Sequence, residues 1–183
     1  MISRIIALVC LILFFPFFVL VALIIIIEDG FPVFFKQKRV GKDLTFFEIY
    51  KFRSMKKTTP NVATHLLENP KQYLLKSGGL VRKLSIDELP NLINIIKGDM
   101  CFVGPRPALY NQDDLMELRV KSGVDQLKPG ITGWAQINGR DEISIEEKVT
   151  FEREYLKQKS FWFDFKIVIK TFTSIIKSKG VTH

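Results

Sequence analysis

Histidine is almost missing: the 183-residue chain holds His65 and the terminal His183 and no other. Imidazole general-base chemistry therefore has little material, and any acid–base or nucleophilic role falls to carboxylates. Cysteine is as scarce, with Cys10 inside an apolar run and Cys101 far from it. That excludes a disulfide framework and a cysteine-rich zinc site, and a reducing compartment is the simplest fit. Neither glycine-rich phosphate loop occurs, G-x-x-x-x-G-K-[ST] or G-x-G-x-x-G, which argues against a Walker nucleotidase and against a Rossmann dinucleotide site. Gly78-Gly79 reads as a plain turn. Acidic residues are in deficit: 19 aspartates and glutamates face 27 lysines and arginines, a net charge of +8. That excess points to an anionic partner, and charge alone leaves nucleic acid, lipid headgroups and nucleotide-sugar phosphates all eligible.

What the chain does have is one long apolar run. Ile5 to Ile27 carries no charge and is long enough to cross a bilayer as a helix. It is too long for the core of a signal peptide, and no small-residue cleavage site follows it. Pro16 sits at its middle, where it removes a helical hydrogen bond and kinks or breaks the helix. Two shapes follow: a kinked spanning helix, or a re-entrant segment that turns at Pro16 and returns to the face it entered. Arg4 before the run, and Lys36, Lys38, Arg39 and Lys42 after it, favour both ends on the cytoplasmic side.

The remaining length suits one domain with a sizeable core, so the chain divides into a membrane segment, 1–29, and a cytoplasmic-face domain, 30–183. Pro32 to Phe35 and Leu44 to Tyr50 read as short strands about a turn at Val40 to Asp43, a β-hairpin. It leads into Lys51-Phe52-Arg53. In an extended segment Lys51 and Arg53 share a face, either to grip a diphosphate or as a basic edge that discourages sheet pairing. Weak helical character follows from Ala63 to Leu67, and Asn111 to Lys121 reads as a charged helix. Phe161, Phe165, Val168, Phe172 and Ile175 recur at near-helical spacing, bordered by Lys166, Lys170, Lys177 and Lys179. That pattern serves an interfacial helix on a membrane or a helix packed on a soluble core. The expected class is α+β: a mainly helical domain with a short β-hairpin.

Lys83 to Pro90 is the stretch around which the rest is organised. Ser85, followed three residues later by Glu88 and then by Leu89, Leu92, Ile93, Ile95 and Ile96, has the form of a capping box. Pro90 competes with it. The helix begins at Ser85 with a kink, or it begins near Pro90 with the acids on the preceding turn. Either way Asp87 lies near a helix N-terminus, which favours its ionised form. Gly104-Pro105-Arg106-Pro107 is a rigid turn with one charge; it serves bidentate phosphate recognition by Arg106 or is structural only.

The blocks Asp87-Glu88-Leu89-Pro90, Gly104-Pro105-Arg106-Pro107 and Pro129-Gly130-Ile131-Thr132-Gly133, with Tyr50 to Met55 upstream and Gln136 to Arg140 downstream, resemble in order and spacing the small monotopic phosphoglycosyl transferases. This is the bacterial sugar transferase family that starts polyprenol-linked glycan synthesis. The resemblance runs from about Asp29 to the C-terminus. It implies transfer of a sugar-1-phosphate from a UDP-sugar to polyprenyl (undecaprenyl) phosphate, with release of UMP, at the cytoplasmic face of a bacterial inner membrane. It implies Asp87 as a nucleophile that carries the phosphosugar covalently, and Mg²⁺ held by Asp87 or Glu88. Lys51, Arg53, Arg82, Arg106 and Arg140 would stabilise charge on the transferring group, and Gln136 would contact the donor. Two neighbouring acids titrate as a pair, so their roles stay undivided. The resemblance favours the re-entrant membrane segment, with amphipathic helices resting on lipid; a homo-oligomer is compatible with it, and nucleic acid has no part. The chain departs from the family pattern in having Phe15, where serine is usual, before Pro16, and no acidic residue ahead of the apolar run. Pro107 to Gln112 and the closing Gly180 to His183 look similar to capsule-initiating members that use N-acetylated 6-deoxy sugars. The rival reading is a membrane-tethered anion-binding or assembly protein without catalysis.

Overall fold

The structure is a computed structural model that describes residues 1–60, 68–139 and 143–176. Arg140, the stretch Ala63 to Leu67, the ending Gly180 to His183, Lys177, Lys179 and the side chain of Ile175 lie outside that description.

The apolar run forms two helices, α1 (Ile2–Leu13) and α2 (Phe15–Asp29), bent by 61° at Phe14. Pro16 lies in the first turn of α2, where its missing N–H has no intrahelical partner to lose, whereas α1 cannot continue through it. The break therefore falls just ahead of the proline. Among the described residues no single helix is long and apolar enough to cross a membrane, while the bent pair has that length and composition together. One side of the pair, including Ile5, Ile12, Leu13, Phe15, Leu20 and Leu23, is exposed. The other side buries Ala7, Phe18, Val21 and Ile25 in one cluster with Ile49, Phe52, Leu75, Leu92, Ile95 and Met100. That cluster draws on both sides of residue 29. The end of α2 is also bonded down: Glu28 accepts from the Ser77 N–H at 3.1 Å and Asp29 from the Lys57 N–H at 3.0 Å.

β1 (Phe34–Val40) and β2 (Phe46–Phe52) form the expected hairpin, running from Phe34 opposite Phe52 to Val40 opposite Phe46. Its first strand reaches Val40, beyond Phe35. α3 (Gly78–Lys83) opens on Gly78-Gly79, so the expected turn is the first turn of a helix. Glycine is required there because a Cβ on Gly78 would stand 2.1 Å from the Ser54 carbonyl oxygen. α4 (Asn91–Lys97) follows Pro90, and Gly98 closes it in the left-handed region at φ 95°, a conformation that costs glycine little. β3 (Cys101–Val103) pairs in parallel with β5 (Gly130–Thr132), and β4 (Ala108–Leu109) adds to β1 to give the order β2-β1-β4. The charged segment is α5 (Asp113–Ser122), and α6 (Trp134–Ile137) is a single turn. α7 (Ile145–Gln158) opens on a complete capping box between Ser144 and Glu147. The last helix is α8 (Phe161–Ile176). Its apolar residues split into two faces: Phe163, Ile167 and Val168 pack on the core, while Phe161, Trp162, Phe165, Ile169 and Phe172 face outward. The architecture is a mixed α+β one, mostly helical.

α1 lies along α4, and the side chain of Asn94 pins α4 to the open backbone edge of β2. Asn94, fully buried, accepts from the Tyr50 N–H at 3.1 Å and donates to the Glu48 carbonyl at 2.7 Å. An amide side chain thus stands in for the next strand and satisfies an edge that would otherwise be open. Asn94→Ala leaves that N–H and that carbonyl unmatched, and thermal or urea denaturation of the purified protein should show a loss of about 2–4 kcal/mol; a loss below about 0.5 kcal/mol would mean that the pin carries no stability.

Candidate active site

α3 ends at Lys83, and the chain reverses at Ser85, which sits in the left-handed region at φ 55° and opens a 3₁₀ turn over Ile86–Glu88. The expected capping box at Ser85 does not form, because the hydroxyl makes no cap bond. The helix begins after Pro90 with the acids on the preceding turn, the second of the two sequence alternatives. Glu88 has stronger partners than a backbone N–H: its Oε1 accepts from Lys51 Nζ at 2.8 Å and from Arg106 Nη1 at 3.2 Å. Charge-assisted bonds of this kind outcompete a neutral cap.

Asp87 is 8% exposed and, among the described residues, forms no salt bridge of its own. Burial pushes its carboxyl up to about 6, helped by the negative charge of Glu88 and opposed by Lys51, Arg82 and Arg106. Burial likewise lowers the Lys51 ammonium, while Glu88 works the other way. Asp87, Glu88, Lys51, Arg82 and Arg106 are thus one electrostatic unit assembled from β2, the end of α3, the 3₁₀ turn and the Gly-Pro-Arg-Pro turn.

Three glycines lock two of the sequence blocks together. A Cβ on Gly104 would stand 2.3 Å from the Lys128 carbonyl oxygen, one on Gly130 2.2 Å from the Gly104 nitrogen, and one on Gly133 2.1 Å from the Gly104 carbonyl oxygen. The Gly104 N–H donates to the Thr132 carbonyl at 2.8 Å, and the Gly130 N–H to the Pro105 carbonyl at 2.9 Å. Gly104 and Pro105, which lead into Arg106, are therefore held with no slack.

The other expected contacts go elsewhere. Arg53 does not share a face with Lys51, because β2 ends at Phe52 and the guanidinium is bound to the Asp29 carboxylate and to the Pro32, Asp29 and Gly30 carbonyls. It ties α2 to the hairpin. Gln136 donates to the Ile131 carbonyl at 2.9 Å and has no contact with the acids. Arg140 lies outside the described residues.

Two residues absent from the sequence expectations line the same site. A cavity of about 10 Å³ beside Lys51, Glu88 and Arg106 is bordered by Arg39 and Asn91. That is room for one water-sized group. The hairpin register puts Arg39 opposite Phe47 and hence on the face of Ile49 and Lys51, and Arg39 Nη1 donates to the Pro107 carbonyl at 3.0 Å. Asn91 is 1% exposed, and its Oδ1 has no hydrogen-bond partner among the described residues. The two-residue alternation was the signal for Arg39; nothing in an apolar helix pattern marks Asn91.

Among the described residues no group of three or more His, Cys, Asp or Glu side chains is placed to hold a metal ion. Two carboxylates of which one is already bound to two cations do not suit zinc. They fit Mg²⁺, which takes few protein oxygens and leaves the rest to substrate and water, with Asp87 the less engaged of the pair.

The Bacterial sugar transferase family model matches residues 1–178. The uncharacterized sugar transferase EpsL of Bacillus subtilis is 43% identical over 155 residues, 85% of this chain and 75% of that protein. The UDP-glucose:undecaprenyl-phosphate glucose-1-phosphate transferase of Escherichia coli is 38% identical over 169 residues, 88% of this chain and 36% of that longer protein. The UDP-N-acetylgalactosamine-undecaprenyl-phosphate N-acetylgalactosaminephosphotransferase of Aeromonas hydrophila is 35% identical over 173 residues, 92% of this chain and 41% of that protein. With the family model covering nearly the whole chain, the protein is a transferase and belongs to the bacterial sugar transferase family.

Proposed function

We propose that the protein transfers a sugar-1-phosphate from a UDP-sugar to polyprenyl phosphate at a membrane surface. The observation that carries this reading is the buried Asp87 beside a Glu88 carboxylate clamped between Lys51 and Arg106. The names of the Escherichia coli and Aeromonas relatives support undecaprenyl phosphate as acceptor and a UDP-sugar as donor. They differ in the sugar, so the sugar taken by this chain is a matter for a donor panel that includes N-acetylated 6-deoxy sugars.

In the first step an Asp87 carboxylate oxygen attacks the sugar-bearing phosphorus, the bond from that phosphorus to the bridging oxygen breaks, and UMP leaves with the electron pair. In the second, an oxygen of the polyprenyl phosphate attacks the same phosphorus, freeing Asp87 and leaving the lipid diphosphate-sugar. A carboxylate nucleophile divides the transfer in this way without needing histidine. Lys51, Arg82 and Arg106 stabilise the charge that builds on the phosphoryl oxygens. Glu88, engaged by two of these cations, holds them in place. Mg²⁺ held by Asp87 or Glu88 would neutralise phosphate charge when bound.

The membrane parts of the reading are a re-entrant α1–α2 pair entering from the cytoplasmic face and an α8 resting on lipid. Supporting them are the exposed apolar side of the bent pair and the outward row on α8, in which Trp162 is 76% exposed. Aromatic bulk with Lys166 and Lys170 on the same helix suits the headgroup layer.

Four outcomes test this. Asp87→Asn should lower UMP release by at least about 10³-fold and abolish a phosphosugar adduct on the protein; near-normal turnover would remove Asp87 as nucleophile. A carboxyl raised from 3.8 to about 6 favours folding most below its ordinary range and loses that contribution as pH rises through about 6. Asp87→Asn in EDTA at pH 7.5 should therefore raise thermal stability, by up to about 3 kcal/mol, and kcat/KM of the parent should rise between about pH 5 and 7 as the carboxylate forms. The chain has two tryptophans, so in Trp134→Phe only Trp162 reports: brominated lipids should quench its fluorescence in vesicles, and an unquenched signal would take α8 off the bilayer.

A further inference from the structure

The turn that carries Arg106 has a proline on each side, so positions 105 and 107 offer no N–H by which the fold can hold them. Beyond the Gly104 N–H, it is held through its carbonyls. The Pro105 carbonyl accepts from the Gly130 N–H at 2.9 Å and the Pro107 carbonyl from Arg39 at 3.0 Å. The carbonyl of Arg106 itself accepts from Arg119 Nη2, also at 2.9 Å.

Arg119, on α5, is 4% exposed, and its partner Glu152, on α7, is 2% exposed. Arg119 Nε donates to Glu152 Oε2 at 2.8 Å, and Nη2 is shared between Glu152 Oε1 and the Arg106 carbonyl. An ion pair this deep is costly to desolvate and is weak evidence of stability; apolar side chains of similar volume often serve a helix contact as well or better. What apolar side chains cannot do is present a fixed donor to a third group. The planar fork of arginine can, because a carboxylate engages one edge and leaves an N–H aimed beyond it.

We propose that Arg119, oriented by Glu152, is a positioning residue for Arg106: it fixes the main chain from which that guanidinium reaches Glu88 at 3.2 Å and the phosphate of the sugar donor. The proposal rests on the transferase reading for the phosphate and on the coordinates for the contact. Its consequence is that the α5–α7 pair, which touches neither acid, governs how productively the donor is held.

The experiment is a cycle between the two arginines, read as kcat and KM for the nucleotide sugar in detergent-purified full-length protein. Arg119→Lys keeps the charge but replaces the planar fork by one freely rotating ammonium, which loses the Nε bond to Glu152 and with it the fixed aim of the N–H at the Arg106 carbonyl. It should lower kcat/KM about 10-fold in the parent and less than about 2-fold in an Arg106→Ala background, because no guanidinium remains there to position. The same factor in both backgrounds, or no effect in the parent, overturns the proposal. Should Arg119→Lys fail to fold, the double variant Arg119→Met with Glu152→Leu replaces the pair by an apolar contact. It should fold with parental thermal stability and still show the kinetic loss, and parental kinetics in that variant would overturn the proposal. A parent that releases no UMP from any UDP-sugar in the presence of Mg²⁺ overturns the transferase reading and this inference with it, whereas an active parent with equal factors overturns the inference alone.

Discussion

One carboxylate holds three distant stretches of chain at a common point. Glu88 lies on a 3₁₀ turn, Lys51 on β2 and Arg106 on a proline-bounded turn, and the first draws the other two to a single oxygen. The contact is poor in solvent, where opposite charges attract most strongly and where an unpaired charge is most costly. Removing Lys51 takes from Glu88 the nearer of these two cations, and neither residue can be displaced without disturbing the field felt by Asp87. The arrangement leaves Asp87 as the acid of the pair without a salt bridge among the described residues, buried enough that its carboxyl is pushed up to about 6 and close enough to Lys51, Arg82 and Arg106 for their charge to oppose that rise.

The order of the blocks made most of this group legible. Asp87, Glu88, Lys51, Arg82 and Arg106 are set apart in the sequence by the rigid or charged neighbours that frame them. Arg53 was legible as a cation but not as a tether, because its partner Asp29 lies in another element and pairing at that separation leaves no local pattern. Ser-x-x-Glu occurs at both Ser85 and Ser144, and only the second becomes a cap. At the first, two cations compete for the glutamate and the serine backbone turns left-handed; spacing alone cannot register either fact. Asn91 and Asn94 sit inside an apolar helix pattern whose period masks them. Both are buried for reasons that depend on what α4 packs against.

The boundary at residue 29 marks a change of composition more than a change of body. α1 lies along the helix that follows the acids, the hydrophobic cluster spans the boundary, and Glu28 and Asp29 are bonded to groups far along the chain. The pin at Asn94 then joins that same helix to the strand carrying Lys51. The bent helix pair, the turn carrying the two acids and the strand carrying Lys51 are therefore mechanically continuous.

The interlocked glycines have a different kind of consequence. Where two stretches of backbone touch with no space for a methyl group, no side chain larger than hydrogen enters without displacing the turn that carries Arg106. Relatives named for glucose and for N-acetylgalactosamine show that sugar preference nevertheless diversifies. In this chain any variation near the turn is left to the surface around it, because the nested frame cannot yield.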